Sequence, residues 1–275
     1  MKENYLTYPC KVMRITQDYN GKTSHYPHTT GDIKDYPLDE GCSDGGREGF
    51  YCPCDEIIIK RKYGEGNGGT NTLFFESTTK CVFPDGTTDY ASGLIIHPND
   101  SDLKRLKEGQ KLKRGQLVCY EGTDGASGNH LHFSFGKGKL TGNGWKKNSN
   151  GKYVLTTTNG TYKPEQLLFV DPAFTKIIDS KGLKFKELPK YETGKYTVTA
   201  DTLNVRTGPG TNYPKVPYKK FKAAGKRQIK KLKGKDYKKD HFVKGMSLKI
   251  TQIKNDVWGK CPSGWVHLDY TKKKG

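Results

Sequence analysis

The sequence is poor in hydrophobic residues and has no long hydrophobic run. Hydrophobic residues make up 32% of the 275 positions, and no stretch approaches the ~18 consecutive apolar residues that a membrane-spanning helix needs. The N-terminal residues also lack the apolar segment of a signal peptide. We therefore expect a protein that has no membrane partner, is made in the cytoplasm without an export signal, and is long enough for two domains.

Cysteine is present, but not in a pattern that defines a site. The seven cysteines are odd in number and form no paired Cys-x-x-Cys motifs, which argues against a zinc ribbon and against a disulfide framework. We expect reduced, packed thiols. The alternative is a metal site in which Cys42, Cys52 and Cys54 supply three thiolates.

Acidic residues are scarce in the last hundred positions. Residues 1–175 hold 22 basic and 21 acidic side chains, whereas residues 176–275 hold 26 basic and 8 acidic ones, so nearly all of the formal charge of +19 lies in the second part. A positive excess favours a polyanionic partner such as nucleic acid, an anionic membrane surface or an acidic cell-wall polymer. The uneven distribution predicts two parts with different functions.

Short apolar runs bounded by Gly, Pro, Asn or Asp predict a mainly β fold with antiparallel sheets and little helix. The clearest runs of the first half lie at residues 57–61, 70–75, 93–96 and 117–120, and only residues 101–108 suggest a helical turn or two. Residues 139–163 are rich in Gly, Asn, Lys and Thr, which predicts a surface excursion.

The same patterns predict the domain organisation. We expect a first domain over residues 1–175, a linker over 176–193 and a second, strand-rich domain over 194–275. About half of the residues between 219 and 239 are Lys or Arg, and we expect this basic stretch to be a solvated loop or hairpin.

Two histidines stand two residues apart in Asn129-His130-Leu131-His132-Phe133, directly after a Gly-rich turn. Residues at this spacing in a strand point to the same face, so both imidazoles would enter one site while Leu131 and Phe133 face the core. Two histidines on one face suit a zinc ion, which uses their lone pairs.

A second candidate lies a hundred residues earlier, where His28 and Asp32 are spaced four apart around Gly31. Two such ligands and one more histidine would leave a fourth position for water, as in a catalytic zinc site. His25 competes with His28, but position 29 is Thr, so His25 has no carboxylate four residues away. A further histidine, His97, ends an apolar strand.

Together, His28-x-x-x-Asp32, His97 and His130-x-His132 resemble the lysostaphin-like zinc endopeptidases that cut peptidoglycan. The framework over roughly residues 10–175 is similar as well: it comprises Pro53-Cys54-Asp55, Leu106-x-x-Gly109-x-x-Leu112-x-x-Gly115-Gln116-Leu117-Val118 and Val170-Asp171-Pro172. The segment from Lys34 to Tyr51 is longer than is usual in that family. It would be a solvated loop or a wall of the substrate groove.

The resemblance implies functions for five residues. His28, Asp32 and His132 would bind Zn²⁺, which lowers the pKa of a bound water and polarises the scissile carbonyl. His130 and His97 would be the catalytic histidines beside that water, one as a general base and the other orienting the water or stabilising the oxyanion. The resemblance does not decide which of the two is the principal base.

The second half resembles a bacterial SH3-like domain of the kind that binds cell walls. The resemblance rests on a strand and Gly-Pro-Gly turn within residues 200–213 and on a hairpin pattern over residues 257–266. It implies a small β-barrel with an aromatic-lined groove. The aromatic candidates for wall binding are Tyr213, Tyr218, Trp258 and Tyr270, although Trp258 could equally belong to the core.

These observations predict a peptidoglycan endopeptidase of the phage endolysin type, which acts on a Gram-positive cell wall after release from the host cytoplasm. The partners would be peptidoglycan and anionic wall polymers. Two alternatives stay open: a bacterial autolysin, and a non-catalytic wall-binding or regulatory protein on the same scaffold. Nucleic acid is not expected as a partner, because the basic stretch carries no recognised nucleic-acid motif and few interleaved aromatics.

Overall fold

The computed structural model describes residues 3–22, 24–41, 47–64 and 70–274. The chain divides into two compact units, Met1–Leu188 and Pro189–Gly275, which we call the front unit and the rear unit. Both consist mainly of antiparallel β-sheet, as the sequence predicted.

The front unit contains sixteen short strands and three short helices among its described residues. The strands are β1 Val12–Gln17, β2 Leu38–Glu40, β3 Gly49–Tyr51, β4 Glu56–Tyr63, β5 Thr72–Ser77, β6 Cys81–Val82, β7 Thr88–Asp89, β8 Ala91–Ile96, β9 Lys111–Lys113, β10 Leu117–Tyr120, β11 Leu131–Lys137, β12 Leu140–Lys147, β13 Tyr153–Thr157, β14 Phe169–Val170, β15 Lys176–Asp179 and β16 Lys186–Glu187. The helices are α1 Tyr26–Thr29, α2 Asp100–Arg105 and α3 Pro164–Leu167.

Eight of these strands form the main sheet, in the order β15-β1-β2-β11-β8-β5-β4-β9. The pairing of β1 with β15 is parallel, and the other pairings in this sheet are antiparallel. Strands β12 and β13 form a separate antiparallel hairpin, which we call the roof hairpin. The side chain of Asp35 accepts hydrogen bonds from the Ser134 hydroxyl of β11 and the Leu155 amide of β13, which ties the roof hairpin to the sheet.

Strand β11 separates the core of the front unit from the functional face of the sheet. Leu131, Phe133 and Phe135 are 0–1% exposed in the main hydrophobic core, whereas His132 and Ser134 point to the other face. The predicted orientation of Leu131 and Phe133 is therefore confirmed. Every residue of β11 is buried because the roof hairpin contacts the face that carries His132.

The strands expected near residues 57–61, 70–75, 93–96 and 117–120 are present as β4, β5, β8 and β10, and α2 lies in the predicted helical segment. The surface excursion predicted for residues 139–163 is wrong in part. These residues form the roof hairpin, and Val154 and Leu155 are buried. The polar composition concealed the hairpin because the apolar side chains on one of its faces are few.

Two other segments differ from the prediction. The segment from Lys34 to Tyr51 contains β2, which lies between β1 and β11 in the main sheet, so it is not simply a loop; residues 42–46, including Cys42 and Asp44, lie outside the described residues. The stretch 176–193 is not only a linker, because β15 pairs with β1 and Leu183 and Phe185 pack against the front core.

The rear unit has its own hydrophobic cluster, which includes Tyr196, Val205, Phe242 and Leu268. Its strands are β17 Gly194–Val198, β18 Thr202–Asn204, β19 His241–Val243, β20 Ser247–Ile250, β21 Gln252–Lys254, β22 Trp258–Cys261, β23 Gly264–His267 and β24 Thr271–Lys273. They form the sheets β20-β17-β24, β18-β19 and β21-β22-β23. Two 3-10 helices, Tyr218–Lys220 and Leu268–Tyr270, and one α-helix complete the unit.

The basic stretch 219–239 contains an α-helix in its central part, so the predicted loop or hairpin is wrong for those residues. Helix α4, Ala223–Lys233, buries Gly225 and Ile229 against the rear core. The apolar residues Phe221, Gly225 and Ile229 are spaced by four, which is a helical period. The many lysines between these residues are equally typical of a solvated loop, so the charge of the segment did not indicate a helix.

The six cysteines within the described part of the chain are buried and form no disulfide, as expected. Among the same residues, no helix is both long enough and apolar enough to cross a membrane.

Candidate metal centre

Three buried polar side chains meet at one end of the functional face. The Oδ1 atom of Asp39 lies 3.0 Å from Nε2 of His25 and 3.0 Å from Nδ1 of His132, and these two nitrogens are 3.3 Å apart. His25 is 0% exposed, and Asp39 and His132 are each 7% exposed. We call this group the His25–Asp39–His132 cluster.

The register of the sheet places two members of this cluster. Asp39 of β2 is the direct cross-strand neighbour of His132 of β11, so the two side chains rise from the same face. On the other side, Asp39 pairs with Gln17 of β1, whose Nε2 donates a hydrogen bond to Asp39 Oδ2 at 2.8 Å. This bond leaves Oδ1 to face the two imidazoles.

His25 comes from the turn before α1, and its orientation is fixed by the backbone. Its Nδ1 lies 2.8 Å from the carbonyl oxygen of Asp18. A carbonyl only accepts hydrogen bonds, so Nδ1 carries a proton and Nε2 is the nitrogen that faces Asp39, where it can donate to the carboxylate or, without its proton, bind a metal. A backbone partner on the distal nitrogen is the usual way in which proteins orient a metal-binding histidine.

This donor set fits a zinc ion. Without a metal, these imidazole nitrogens can bond to Asp39 only when they carry protons, and a metal ion can take the place of those protons in a buried site. In tetrahedral zinc sites with ligand bonds of about 2.0–2.1 Å, the ligand atoms are about 3.3 Å from one another. The separations of 3.0, 3.0 and 3.3 Å in the cluster are close to the edges of such a tetrahedron.

The electrostatic environment keeps this site ready for a cation. Burial raises the pKa of Asp39, but hydrogen bonds and charge from His132 and His25 outweigh it, so that the pKa lies well below its usual range. Asp39 is therefore ionised at neutral pH. The Nε2 atom of His132 is buried without a hydrogen-bond partner among the described residues, so this ring is held through Nδ1, which faces Asp39 and His25.

His97 and His130 lie beside the cluster. Their ring centroids are 4.6 Å apart, and that of His97 is 6.4 Å from that of His132. Nδ1 of His97 hydrogen-bonds the carbonyl of Asp124, and Nδ1 of His130 lies 3.0 Å from the carbonyl of Gly128. With Nδ1 donating in each case, Nε2 is the nitrogen that is available for proton transfer.

Two further properties single out His97. Its backbone has a φ of 65°, in the left-handed region that is uncommon for residues other than glycine. Burial, aided by the neighbouring His130 and His132, lowers the pKa of His97 to about 4, so the ring is neutral at pH 7. A neutral imidazole with a free lone pair can accept a proton from water.

The structure does not bring the whole predicted ligand set together. Asp32 is exposed, and its carboxylate accepts a hydrogen bond from the Ser149 amide of the roof-hairpin turn at 2.7 Å. Asp39 takes the place expected for Asp32 next to His132. The signal for Asp39 was weak in the sequence because its strand has only three residues, two of them acidic.

His28 lies near the cluster but outside the group of three. Its ring centroid is 5.6 Å from that of His132 and 6.3 Å from that of His25. Burial, together with His132 and His25, lowers the pKa of His28 to about 3, and its buried Nδ1 has no hydrogen-bond partner. The histidine that lies within the group formed with Asp39 and His132 is therefore His25 and not His28.

A cleft of about 800 Å³ opens over these residues. Its polar end is lined by the histidines 28, 97, 130 and 132 together with Asp39, Gln17 and Ser24. Its other end is apolar and lies between the sheet and the roof hairpin. The cleft therefore leads directly to the His25–Asp39–His132 cluster.

The aromatic residues predicted to bind cell walls are divided between surface and core. Tyr213 and Tyr270 are 41% and 53% exposed. Tyr218 is partly buried against the rear core, and Trp258 is 7% exposed, with its ring perpendicular to that of His267. Trp258 therefore offers little surface to a ligand.

Comparisons with known proteins give distant similarities. No protein-family model and no curated protein matches the sequence. Among solved structures, a zinc-containing peptidase from Vibrio cholerae is similar with a TM-score of 0.31 and 20% identity, over 49% of this chain and 37% of that chain. Lysostaphin is similar with a TM-score of 0.30 and 14% identity, over 84% of this chain and 80% of lysostaphin.

This chain spans little more than a third of the length of the Vibrio cholerae peptidase.

Proposed function

We propose that this protein is a zinc-dependent endopeptidase that hydrolyses a peptide bond in peptidoglycan. The observation that carries the proposal is the buried His25–Asp39–His132 cluster at the bottom of a cleft, with two further histidines beside it. Three protein ligands leave one position for water or substrate, which is the arrangement of catalytic zinc sites. The choice of peptidoglycan rests on the sequence motifs that resemble the lysostaphin-like peptidases.

The residues divide into ligands and proton-transfer groups. His25, Asp39 and His132 would hold the zinc, which supplies an activated water and polarises the scissile carbonyl. His97 and His130 are oriented by backbone carbonyls at Nδ1, so Nε2 of either ring could take the proton of the water. The other, once protonated, can donate a hydrogen bond to the oxyanion or to the leaving amine.

The rear unit would retain the enzyme at the cell wall. Residues 189–275 hold 22 basic and 6 acidic side chains, and helix α4 carries basic residues on its exposed surface. Such a surface attracts anionic wall polymers over distances of about a Debye length. We propose an SH3-like wall-binding function for this unit, and an endolysin that is made in the host cytoplasm and acts on a Gram-positive wall after release.

One experiment tests the catalytic proposal directly. Purified protein is added to a suspension of Gram-positive cells or isolated walls, and turbidity and newly formed amino groups are followed. We expect lysis that is abolished by a chelator and restored by Zn²⁺. Equal lysis by chelated and zinc-loaded protein would disprove the zinc mechanism, and zinc binding without any release of amino groups would favour the non-catalytic alternative.

A further inference from the structure

A single row of paired residues runs across the sheet beneath the cleft. In this row, each residue is the cross-strand partner of the next: Gln17, Asp39, His132, Ile96, Thr72 and Tyr63. Neighbours in such a row project from the same face. All six residues line the cleft, and the row changes from polar to mainly apolar between His132 and Ile96.

The apolar surface of this row extends to the neighbouring row of paired residues in the sheet and to the roof hairpin. Leu94 and Phe74 are cross-strand partners two residues further along β8 and β5, and they form a small hydrophobic cluster with Leu155 of the roof hairpin. Ile96 and Trp145 pack against this cluster while remaining partly exposed to the cleft. Apolar surface therefore covers both the floor and the roof of this end.

Exposed aromatic rings border the same end. Tyr153 is 54% exposed and packs edge-on against Trp145 with centroids 4.4 Å apart, and Tyr63 is 40% exposed and packs edge-on against Phe74 at 6.0 Å. These rings are held by their neighbours, so they form a preformed wall. We call the surface made by Ile96, Trp145, Tyr63 and Tyr153, which is backed by the nearly buried Leu94 and Phe74, the apolar subsite.

We infer that the apolar subsite binds an apolar side chain of the substrate residue next to the scissile bond, and that Ile96 and Trp145 determine this specificity. The inference rests on the proposed function, because it concerns the substrate of the same site. Directly paired residues have Cβ atoms about 4.5–5.5 Å apart, so Ile96 begins one side-chain distance from the zinc-binding His132. A substrate whose scissile carbonyl lies at the proposed metal site would bring its adjacent side chain near Ile96.

A substrate made only of glycine would leave this surface in contact with water. The gain from filling an apolar site increases with each buried methylene group, and apolar pockets discriminate by about 10- to 200-fold for each methylene. The protein should therefore favour a peptide bond flanked by alanine, leucine or a larger apolar residue over a bond within a glycine bridge.

Amino-acid hydroxamates provide a probe that does not depend on the unknown cleavage sequence. Their hydroxamate group binds an open zinc position, and their side chain then extends into the adjacent subsite. Binding of glycine, leucine and phenylalanine hydroxamate to the zinc-loaded full chain is measured by calorimetry. We expect leucine hydroxamate to bind at least about 10-fold more tightly than glycine hydroxamate.

Two variants test whether the preference for leucine hydroxamate arises from the apolar subsite. Ile96→Ala and Trp145→Ala should each reduce the leucine-to-glycine affinity ratio several-fold while the affinity for glycine hydroxamate and the zinc content stay unchanged. Ile177→Ala is the matched control, because Ile177 is 53% exposed on β15 and does not line the cleft. This control variant should keep the leucine-to-glycine affinity ratio of the wild type.

The outcomes separate this inference from the proposed function. Equal affinity for the three hydroxamates, or an unchanged ratio in both subsite variants, would overturn the apolar subsite while leaving the zinc site intact. Failure of zinc-loaded protein to bind any hydroxamate would instead contradict the open metal position on which the proposed function depends, and the inference would fall with it.

Discussion

The carboxylate of Asp39 and the imidazole of His132 face each other from paired positions on adjacent strands, with Oδ1 and Nδ1 3.0 Å apart. This relationship is built into the register of β2 and β11, and so it does not depend on a flexible loop. The third group, His25, is supplied by a turn, but a hydrogen bond to the carbonyl of Asp18 fixes its ring. Sites placed on sheet strands hold their geometry well.

The two aspartates of this region should differ sharply in their effect on zinc. Asp39→Asn should weaken zinc binding by more than about 100-fold, because loss of even an outer partner of a metal ligand costs 10- to 100-fold. Asp32→Asn is the matched control and should bind zinc normally, since Asp32 is exposed and its carboxylate bonds to the roof-hairpin turn rather than to the cluster. Zinc affinity is measured by competition with a chromophoric chelator, and loss of zinc in the Asp32 variant alone would reverse our assignment.

The two histidines around α1 give an equally direct comparison. His25→Ala should lose zinc affinity as Asp39→Asn does, because Nε2 of His25 is part of the cluster. His28→Ala should keep one zinc per chain, since its ring lies beside the cluster rather than in it. Metal content after dialysis measures both, and circular dichroism checks that each variant is folded. Retained zinc in His25→Ala would favour His28 as the ligand.

Substitution of the two histidines proposed to be catalytic should slow the reaction without affecting zinc binding. His97→Ala and His130→Ala should each retain zinc but lower kcat by about 10²- to 10⁴-fold, which is the usual contribution of a positioned acid or base. The variant with the larger loss identifies the principal base. Full activity in both variants at normal zinc content would exclude either ring from proton transfer.

Stability should depend on pH through Glu40, which follows Asp39 in β2 and is completely buried on the opposite face. Its carboxyl group is hydrogen-bonded by the Tyr8 hydroxyl and the Arg14 amide. Burial, together with the charges of Glu48 and Glu121, raises the pKa of Glu40 to about 8. From the ordinary pKa of 4.5 up to about 8, the folded state keeps a proton that the unfolded state has released, so the free energy of unfolding falls as the pH rises through this window.

The variant Glu40→Gln removes this proton linkage. The free energy of unfolding of the variant minus that of the wild type should increase by on the order of 3 kcal/mol between pH 5 and pH 8, because only the wild type loses the contribution of Glu40. Urea unfolding of both proteins in the presence of a chelator measures this difference without a contribution from metal binding. If the two proteins lost stability in parallel over this range, Glu40 would be ionised in the folded state.

The charge of helix α4 should matter for wall binding. Changing the exposed Lys230 and Lys231 to Glu in the full chain should weaken binding to isolated walls on the order of 10-fold at low salt, and the difference should shrink as salt screens the charges. The same change at Lys104 and Lys107, which are exposed on the front unit, is the control. Equal binding by both double variants would mean that the charge of α4 is not used.

The sequence was sufficient for the parts of the fold that follow a simple period. The alternation around His132 predicted a strand with a core face and a site face, and both are present. The position of Asp39 could not be found in this way, because a three-residue strand has too few side chains to show a period of two. Its pairing with β11 is a contact between residues 93 positions apart, which only the tertiary structure defines.

Helix α4 was not predicted from the sequence, for a different reason. Gly225 and Ile229 of this helix, together with Phe221 just before it, are correctly spaced for a helix, but lysines and one arginine dominate the segment. Long basic side chains are good helix formers, and a helix with a narrow apolar stripe can be stable once it packs on a core. Net charge reports on partners and solubility, and it does not distinguish a loop from a helix.

Strand β11 also constrains how this protein can change over time. Its seven residues supply core side chains on one face and the proposed metal ligand His132 on the other, so a shift of its register by one residue would exchange the two faces. A mutation that slides or shortens this strand would remove fold and activity together. Adaptation to a new substrate is therefore expected to occur in the roof hairpin and the cleft rim, where side chains can vary without moving the metal.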